Sequence, residues 1–345
     1  MLRIEPQALA SDDDLRTALQ NAIALEHSTI PPYLTAMLTL SGTSDSVEYA
    51  RNEITEVIFE EMMHMTLACN ILNAIGGDPV LTPPTYPGPL PGHIGPDGEP
   101  LVVSLLPFSK AAMQQGMNIE QPETKPNFPV ARELVEAAAP AAVTIGQFYD
   151  ALDAFLATLS PRAWKGNRNQ ITDLQFLTGQ LFAVNGYPDA HRAISVIVSE
   201  GEGTGDNPLD FADEVAHYFR FGEIFHDKVL TKIPEDPGWQ WGPKKLGVDW
   251  TQVFPAIPDP QTHDFSVDPP AAQAAQAACN TAYSQMVDAL RRAVTGQPAQ
   301  LGVAVRAMFD LRMATQVALR TPLADGTSVS GPAFVYVPNT PGATP

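Results

Sequence analysis

Cysteine is scarce in this chain, and so is positive charge. Cys69 and Cys279 are the only two cysteines in 345 residues, and neither sits in a Cys-x-x-Cys pair. No disulfide framework and no thiolate metal site is therefore expected. Cys69 falls inside a helical pattern and reads as a small buried residue. Lys and Arg number 20 against 39 Asp and Glu, for a formal net charge of −19. Such a surface repels the phosphates of nucleic acid and of anionic membranes. No run approaches the length of a membrane-spanning helix, and Met1–Pro6 carries no apolar segment of signal-peptide type. These absences predict a soluble, reduced, cytoplasmic protein with no nucleic-acid or membrane partner. What the chain does have is a hydrophobic fraction of 44%, enough for one large domain or two.

The most informative stretch begins at Ile54. Ile54, Val57, Glu61, His64, Ala68, Ile71 and Ile75 recur at helical spacing. They form one apolar face with a carboxylate and an imidazole at i, i+3 in its middle. Burying both groups without a partner is costly and shifts their pKa values. A metal ion satisfies both, and Glu-x-x-His projecting into a bundle core is the ligand pair of di-iron and di-manganese carboxylate proteins. The preceding helix opens at Ser11 with Asp12, Asp13 and Asp14 in its first turn, where the helix dipole favours them. Its stripe of Leu15, Leu19, Ala22, Glu26, Tyr33 and Met37 turns Glu26 inward. Pro31-Pro32, one turn further on, predicts a kink. The midpoint between Glu26 and Glu61 falls within the turn at Ser41–Ser46, so an antiparallel hairpin brings the two carboxylates level.

The second half repeats the theme. A proline-rich crossover of about 78–129 follows, expected to lie over the bundle as an ordered lid. Within it Leu101–Leu105 reads as a short strand and Lys110–Met117 as a helical turn or two. Helices are expected over about 141–159, 173–184 and 188–200. Another begins near Leu209, where Phe211, Glu214, His217 and Phe221 share a face and supply a second Glu-x-x-His. Glu200 and Glu214 are level across the loop between them. The expected metal ligands are thus Glu26, Glu61, His64, Glu200, Glu214 and His217, with Glu61 and Glu214 as bridges. Glu60 is expected to be solvated or an outer partner, since adjacent residues cannot both face the core. Tyr33 is a candidate for a cavity wall, and Arg220 for a carboxylate partner. A Trp/Pro-rich stretch, helices over 270–295 and 298–320, and an irregular tail complete the chain. The expected organisation is a metal-binding bundle over 1–232 with a C-terminal helical extension over 233–345.

Several segments together resemble one family. They are Leu25-Glu26-His27-Ser28-Thr29-Ile30-Pro31-Pro32-Tyr33-Leu34, Glu60-Glu61-Met62-Met63-His64-Met65, Tyr86-Pro87-Gly88-Pro89-Leu90-Pro91, Ile119-Glu120-Gln121-Pro122, Glu200-Gly201-Glu202-Gly203 and Ala216-His217-Tyr218-Phe219-Arg220-Phe221. The chain resembles the bacterial ferritin-like family that includes the N-terminal part of the iminophenyl-pyruvate dimer synthase of violacein biosynthesis. The resemblance implies an all-α, ferritin-like bundle with a dinuclear site on Glu26, Glu61, His64, Glu200 and His217, completed by Glu214. Gln147 stands where relatives carry an acidic residue, which points to a weaker or mononuclear site if that residue is a ligand. Mixed carboxylate and imidazole donors suit two iron ions, with manganese as the alternative. The expected function is an O2-using oxidase or oxygenase acting on a small, amino-acid-derived metabolite of secondary metabolism, in a chain that could form a homo-oligomer. An iron-handling ferroxidase and a non-catalytic scaffold stay open beside it.

Overall fold

The computed structural model describes residues 11–94, 100–122, 145–172, 181–203, 207–234 and 238–338. Helices α1 (Asp12–Leu38) and α2 (Asp45–Ala74) form its spine. Ser11 caps α1 by accepting from the Asp14 amide, with three aspartates in the first turn, as the opening sequence suggests. The helices run antiparallel. Arg51 reaches the carbonyls of Leu40 and Gly42, Thr29 reaches Glu61, and Gln20 reaches Val80.

Helix α1 continues through Pro31 and Pro32. Proline at 32 removes the amide that would bond the Ser28 carbonyl, and proline at 31 removes the tighter i→i+3 substitute. The Tyr86 hydroxyl, from the crossover, donates to that carbonyl at 2.7 Å. The crossover is thereby fastened to α1 at Ser28, two residues from Glu26.

Beyond Tyr86 the crossover forms a β-ribbon of β1 (Gly88–Ile94) and β2 (Pro100–Val103), antiparallel with Gly88 opposite Val103. Helix α3 (Lys110–Ile119) follows, capped by Ser109. It packs on α6 (His217–His226). At Gly116 an added Cβ would lie 2.8 Å from the Phe221 ring. This close approach carries the end of α3 into the bundle. Helices α4 (Ile145–Leu156) and α5 (Tyr187–Glu202) pack against each other and close the other side. The start of the expected 141–159 helix and most of the expected 173–184 helix lie outside the described residues. Leu181–Asn185 is not helical, and the Gln170 side chain holds Val184 through both its main-chain groups.

Among the described residues three two-stranded sheets depart from an all-α expectation, so the fold is mostly helical. The Trp/Pro-rich stretch belongs to a hairpin of β3 (Lys228–Lys232) and β4 (Trp239–Lys245). Strands β5 (Ala256–Ile257) and β6 (Val329–Ser330) pair in parallel. Helices α7 (Pro270–Val294) and α8 (Leu301–Ala318) form a second antiparallel pair against α1 and α2. Asn73 donates to the Val294 carbonyl at 3.0 Å and Arg291 to the Leu81 carbonyl at 2.8 Å. Among the described residues no helix is long and apolar enough to cross a membrane.

Two apolar clusters divide the spine. One gathers Leu15, Leu19, Ile23, Leu67 and Ile71 with α4 and α5. The other gathers Tyr33, Ile54, Val57 and Ile58 with α3, α6, α7 and α8. A buried polar cluster around Glu26 and Glu61 lies between them.

Candidate metal centre

The centre is built from four elements. Helix α1 contributes Glu26, α2 contributes Glu61 and His64, the residue capping the end of α3 contributes Glu120, and the first residue of α6 is His217. Glu26, Glu61 and His64 bring one ligand atom each within 4.8 Å of one another, and Glu61, Glu120 and His217 do the same. All five are buried. Glu61 belongs to both groups.

The two imidazoles are arranged alike. The His64 and His217 rings stack with centroids 5.5 Å apart. His64 Nδ1 lies 3.7 Å from Glu61 and 3.9 Å from Glu26, while its Nε2 donates to Glu200 at 2.8 Å. His217 Nδ1 lies 2.9 Å from Glu61 and 3.6 Å from Glu120, while its Nε2 donates to Glu60 at 2.8 Å. Each ring thus turns Nδ1 to the centre and binds an outer carboxylate through Nε2, the pattern that fixes the tautomer of a ligating histidine. Further groups orient the carboxylates. Tyr149 donates to Glu26 at 2.6 Å, Thr29 to Glu61 at 2.5 Å, and Tyr33 to Glu120. Arg220 contacts Glu60 at 3.5 Å, with Glu53, Glu56 and Glu214 also around its guanidinium.

Electrostatics follow from crowding carboxylates in a dry place. Burial, together with the neighbouring Glu61, pushes the Glu26 carboxyl up to about 8. Burial and Glu61 also raise Glu120. Burial opposes charge on His64, but Glu200 and Glu61 outweigh it and lift the ring to about 10. The same contest raises His217 through Glu120, Glu60 and Glu61. Burial would raise Glu61 too, yet the His217 and His64 imidazoles that face it hold it below the usual carboxylate range. The cluster therefore binds protons tightly at positions where cations would displace them.

One atom tests the fit of a metal directly. His217 Nδ1 is fully enclosed and, although 2.9 Å from Glu61, is out of hydrogen-bond alignment, so it makes no hydrogen bond among the described residues. A buried nitrogen left unbonded and facing carboxylates suits a cation. Three carboxylates and two imidazoles, with no thiol, form the donor set of iron or manganese more than of structural zinc. A cavity of about 20 Å³ lies beside them, bordered by Thr29, Ile197, Val198 and Gly201. It has room for roughly one or two water-sized molecules.

The family model for Ferritin-like proteins matches residues 19–226, more than half of the sequence and the whole stretch from Glu26 to His217. The chain belongs to the Ferritin-like family. A ferritin like protein from Caulobacter vibrioides, solved by crystallography, aligns with a TM-score of 0.62 at 24% identity, over 93% of this chain and 98% of that one. At this identity the likeness speaks for the fold. No curated protein matches the chain.

Within this ferritin-like bundle the sequence-derived residues divide. Glu26, Glu61, His64 and His217 meet at the centre. Glu200 reaches it only through the far nitrogen of His64. Glu214 does not reach it. Its side chain is 59% exposed and pairs with Arg220. The expectation failed because no helix begins near Leu209. Asp210 accepts from the amides of Ala212 and Glu214 and closes a turn. Leu209 bridges Val215, and α6 starts only at His217, so the i, i+3 geometry of a second Glu-x-x-His never forms. Tyr33 stands against Glu120 and Arg220 against Glu60, whereas Gln147 is half-buried on α4, two residues before the Tyr149 that meets Glu26.

Glu120 is the residue that sequence reasoning overlooked. Met113, Gly116, Met117 and Glu120 share a helical stripe, the same signal that marked Glu61, but the proline-rich surroundings hid it. Tyr149 likewise lies on the stripe of Phe148 and Leu152.

Proposed function

We propose that the chain is a di-iron oxidase or oxygenase, with manganese as the alternative metal. The observation that supports it best is the carboxylate shared by two buried Glu/His groups. Iron bound there would supply one-electron chemistry and the reductive activation of O2. The protein's part follows from the contacts. Glu61 faces both positions, Glu26 and Glu120 each close one, and His64 and His217 present Nδ1. Glu200 and Glu60 hold the imidazole tautomers, while Tyr149 and Tyr33 orient Glu26 and Glu120. Ile197 and Val198 keep bulk water from the cavity.

In this reading the bundle and its centre occupy 1–232, the crossover covers the centre as a lid that contributes Glu120, and 233–345 is an extension packed on the bundle. The resemblance to the violacein-synthase family extends the proposal to a small, amino-acid-derived substrate of secondary metabolism. A second reading, oxidation of Fe(II) itself, is favoured by the small cavity beside the carboxylates.

Anaerobic loading with Fe(II), followed by O2, separates the readings. A di-iron enzyme fills at about two irons per chain and shows O2 uptake that an added organic reductant or substrate sustains. Loading far beyond that stoichiometry would support iron handling and refute the oxidase.

A further inference from the structure

A second cavity lies on the opposite side of the α1/α2 pair, where α7 and α8 pack. It is separate from the carboxylate cluster and its lining is almost entirely apolar. Met62, Met65, Met286 and Met308 contribute four of the chain's ten methionines to its wall. Methionine is flexible and polarisable, adapts to irregular contents, and makes favourable contacts with aromatic rings.

Two polar groups interrupt this wall without being used. His27 and Tyr283 both line the cavity and are both buried. Neither ring nitrogen of His27 and no donor or acceptor at the Tyr283 hydroxyl has a hydrogen-bond partner among the described residues. The Thr82 main chain influences the imidazole without reaching hydrogen-bond geometry. Buried polar groups are nearly always bonded, and those that are not call for an occupant. A neutral imidazole offers one donor and one acceptor, and a phenol hydroxyl offers both. The wall itself has no carboxylate and no Lys or Arg to balance a charged guest.

We infer that this cavity is a binding site for a small, uncharged, largely apolar molecule carrying one hydroxyl or carbonyl. Its ring or short chain rests on the methionines, and its polar group bonds to His27 and Tyr283. Such a site matches the general form of ligand pockets, an apolar enclosure with a few placed polar groups. It stands whether or not the carboxylate cluster binds metal, because it shares none of those side chains.

The test uses the full chain with phenol and, as the isostere lacking the hydroxyl, benzene. Titration calorimetry and thermal unfolding should show saturable phenol binding with a raised Tm. Benzene should bind about tenfold more weakly or worse, since it leaves both polar groups unpaired. His27→Leu and Tyr283→Phe should narrow that preference while leaving the ligand-free Tm unchanged or higher. Val305→Phe, at a half-exposed position in the wall, should fill the space and remove binding of both. The proposal is overturned if phenol gives no saturable binding, leaving the cavity to water. Equal affinity for phenol and benzene would overturn it, and so would phenol binding that survives Val305→Phe.

Discussion

Replacing Tyr86 by phenylalanine removes one oxygen and, on the structure, one specific bond. The Tyr86 hydroxyl is the donor that serves the Ser28 carbonyl, at 2.7 Å and within a buried setting. Neither intrahelical donor is available, because positions 31 and 32 are both proline. Leaving a buried acceptor unpaired costs about 1–3 kcal/mol. Tyr86→Phe should therefore lose about that much in urea unfolding, with a lower midpoint and an unchanged slope. Pro32→Ala restores an amide at the right place, so in that background the Ser28 carbonyl has a second donor. The loss from Tyr86→Phe should then shrink, giving a coupling energy of about 1 kcal/mol or more. Equal losses in both backgrounds would refute the argument that the crossover tyrosine compensates for the proline pair. So would a loss from Tyr86→Phe within about 0.5 kcal/mol of zero.

Other outcomes follow from the centre and its surroundings. Glu120→Ala should lower metal content from two ions toward one, read by elemental analysis, since it removes a carboxylate from the His217 side alone. Glu214→Ala should leave metal content unchanged, whereas Glu200→Gln should weaken metal binding by about 10–100-fold through the His64 tautomer. Stability should depend on pH through His27. Burial, with a smaller effect from Arg291 and a main-chain contact from Thr82 opposing both, lowers its ring from 6.5 to about 4. As pH falls below 6.5 the unfolded chain takes up a proton that the folded chain refuses. The stability present above 6.5 is thus lost down to about 4, amounting to roughly 3 kcal/mol. Denaturation midpoints measured across this window should vary less with pH in His27→Leu than in the unsubstituted chain.

Much of the spine was legible from residue spacing because α1 and α2 are long, and Glu26, Glu61 and His64 stand out as ionisable groups on their apolar stripes. Ser11 and its aspartates marked the start of α1, and a turn midway between Glu26 and Glu61 set the hairpin register. Spacing failed where short elements answer to tertiary contacts. Position 214 looked helical because a periodic pattern does not reveal that Asp210 will tie its own neighbours into a turn. Position 120 looked like lid because ten residues of helix between prolines carry a weak signal until Gly116 is seen packed on Phe221. Glu200 has the right residue type at the right level, yet only the imidazole orientation shows that it addresses Nε2. The β3–β4 hairpin was invisible for a related reason, as Trp239 and Trp241 fit either an irregular segment or a strand.

The central claim is that one carboxylate joins two metal positions, and metal stoichiometry tests it most directly. Purified chain, loaded anaerobically with Fe(II) and freed of excess, should carry about two ions. His217→Ala should keep about one, and Glu61→Ala, which strikes both groups, should keep almost none. An unsubstituted chain that takes up no metal, or a Glu61→Ala chain that still holds both ions, would contradict the account.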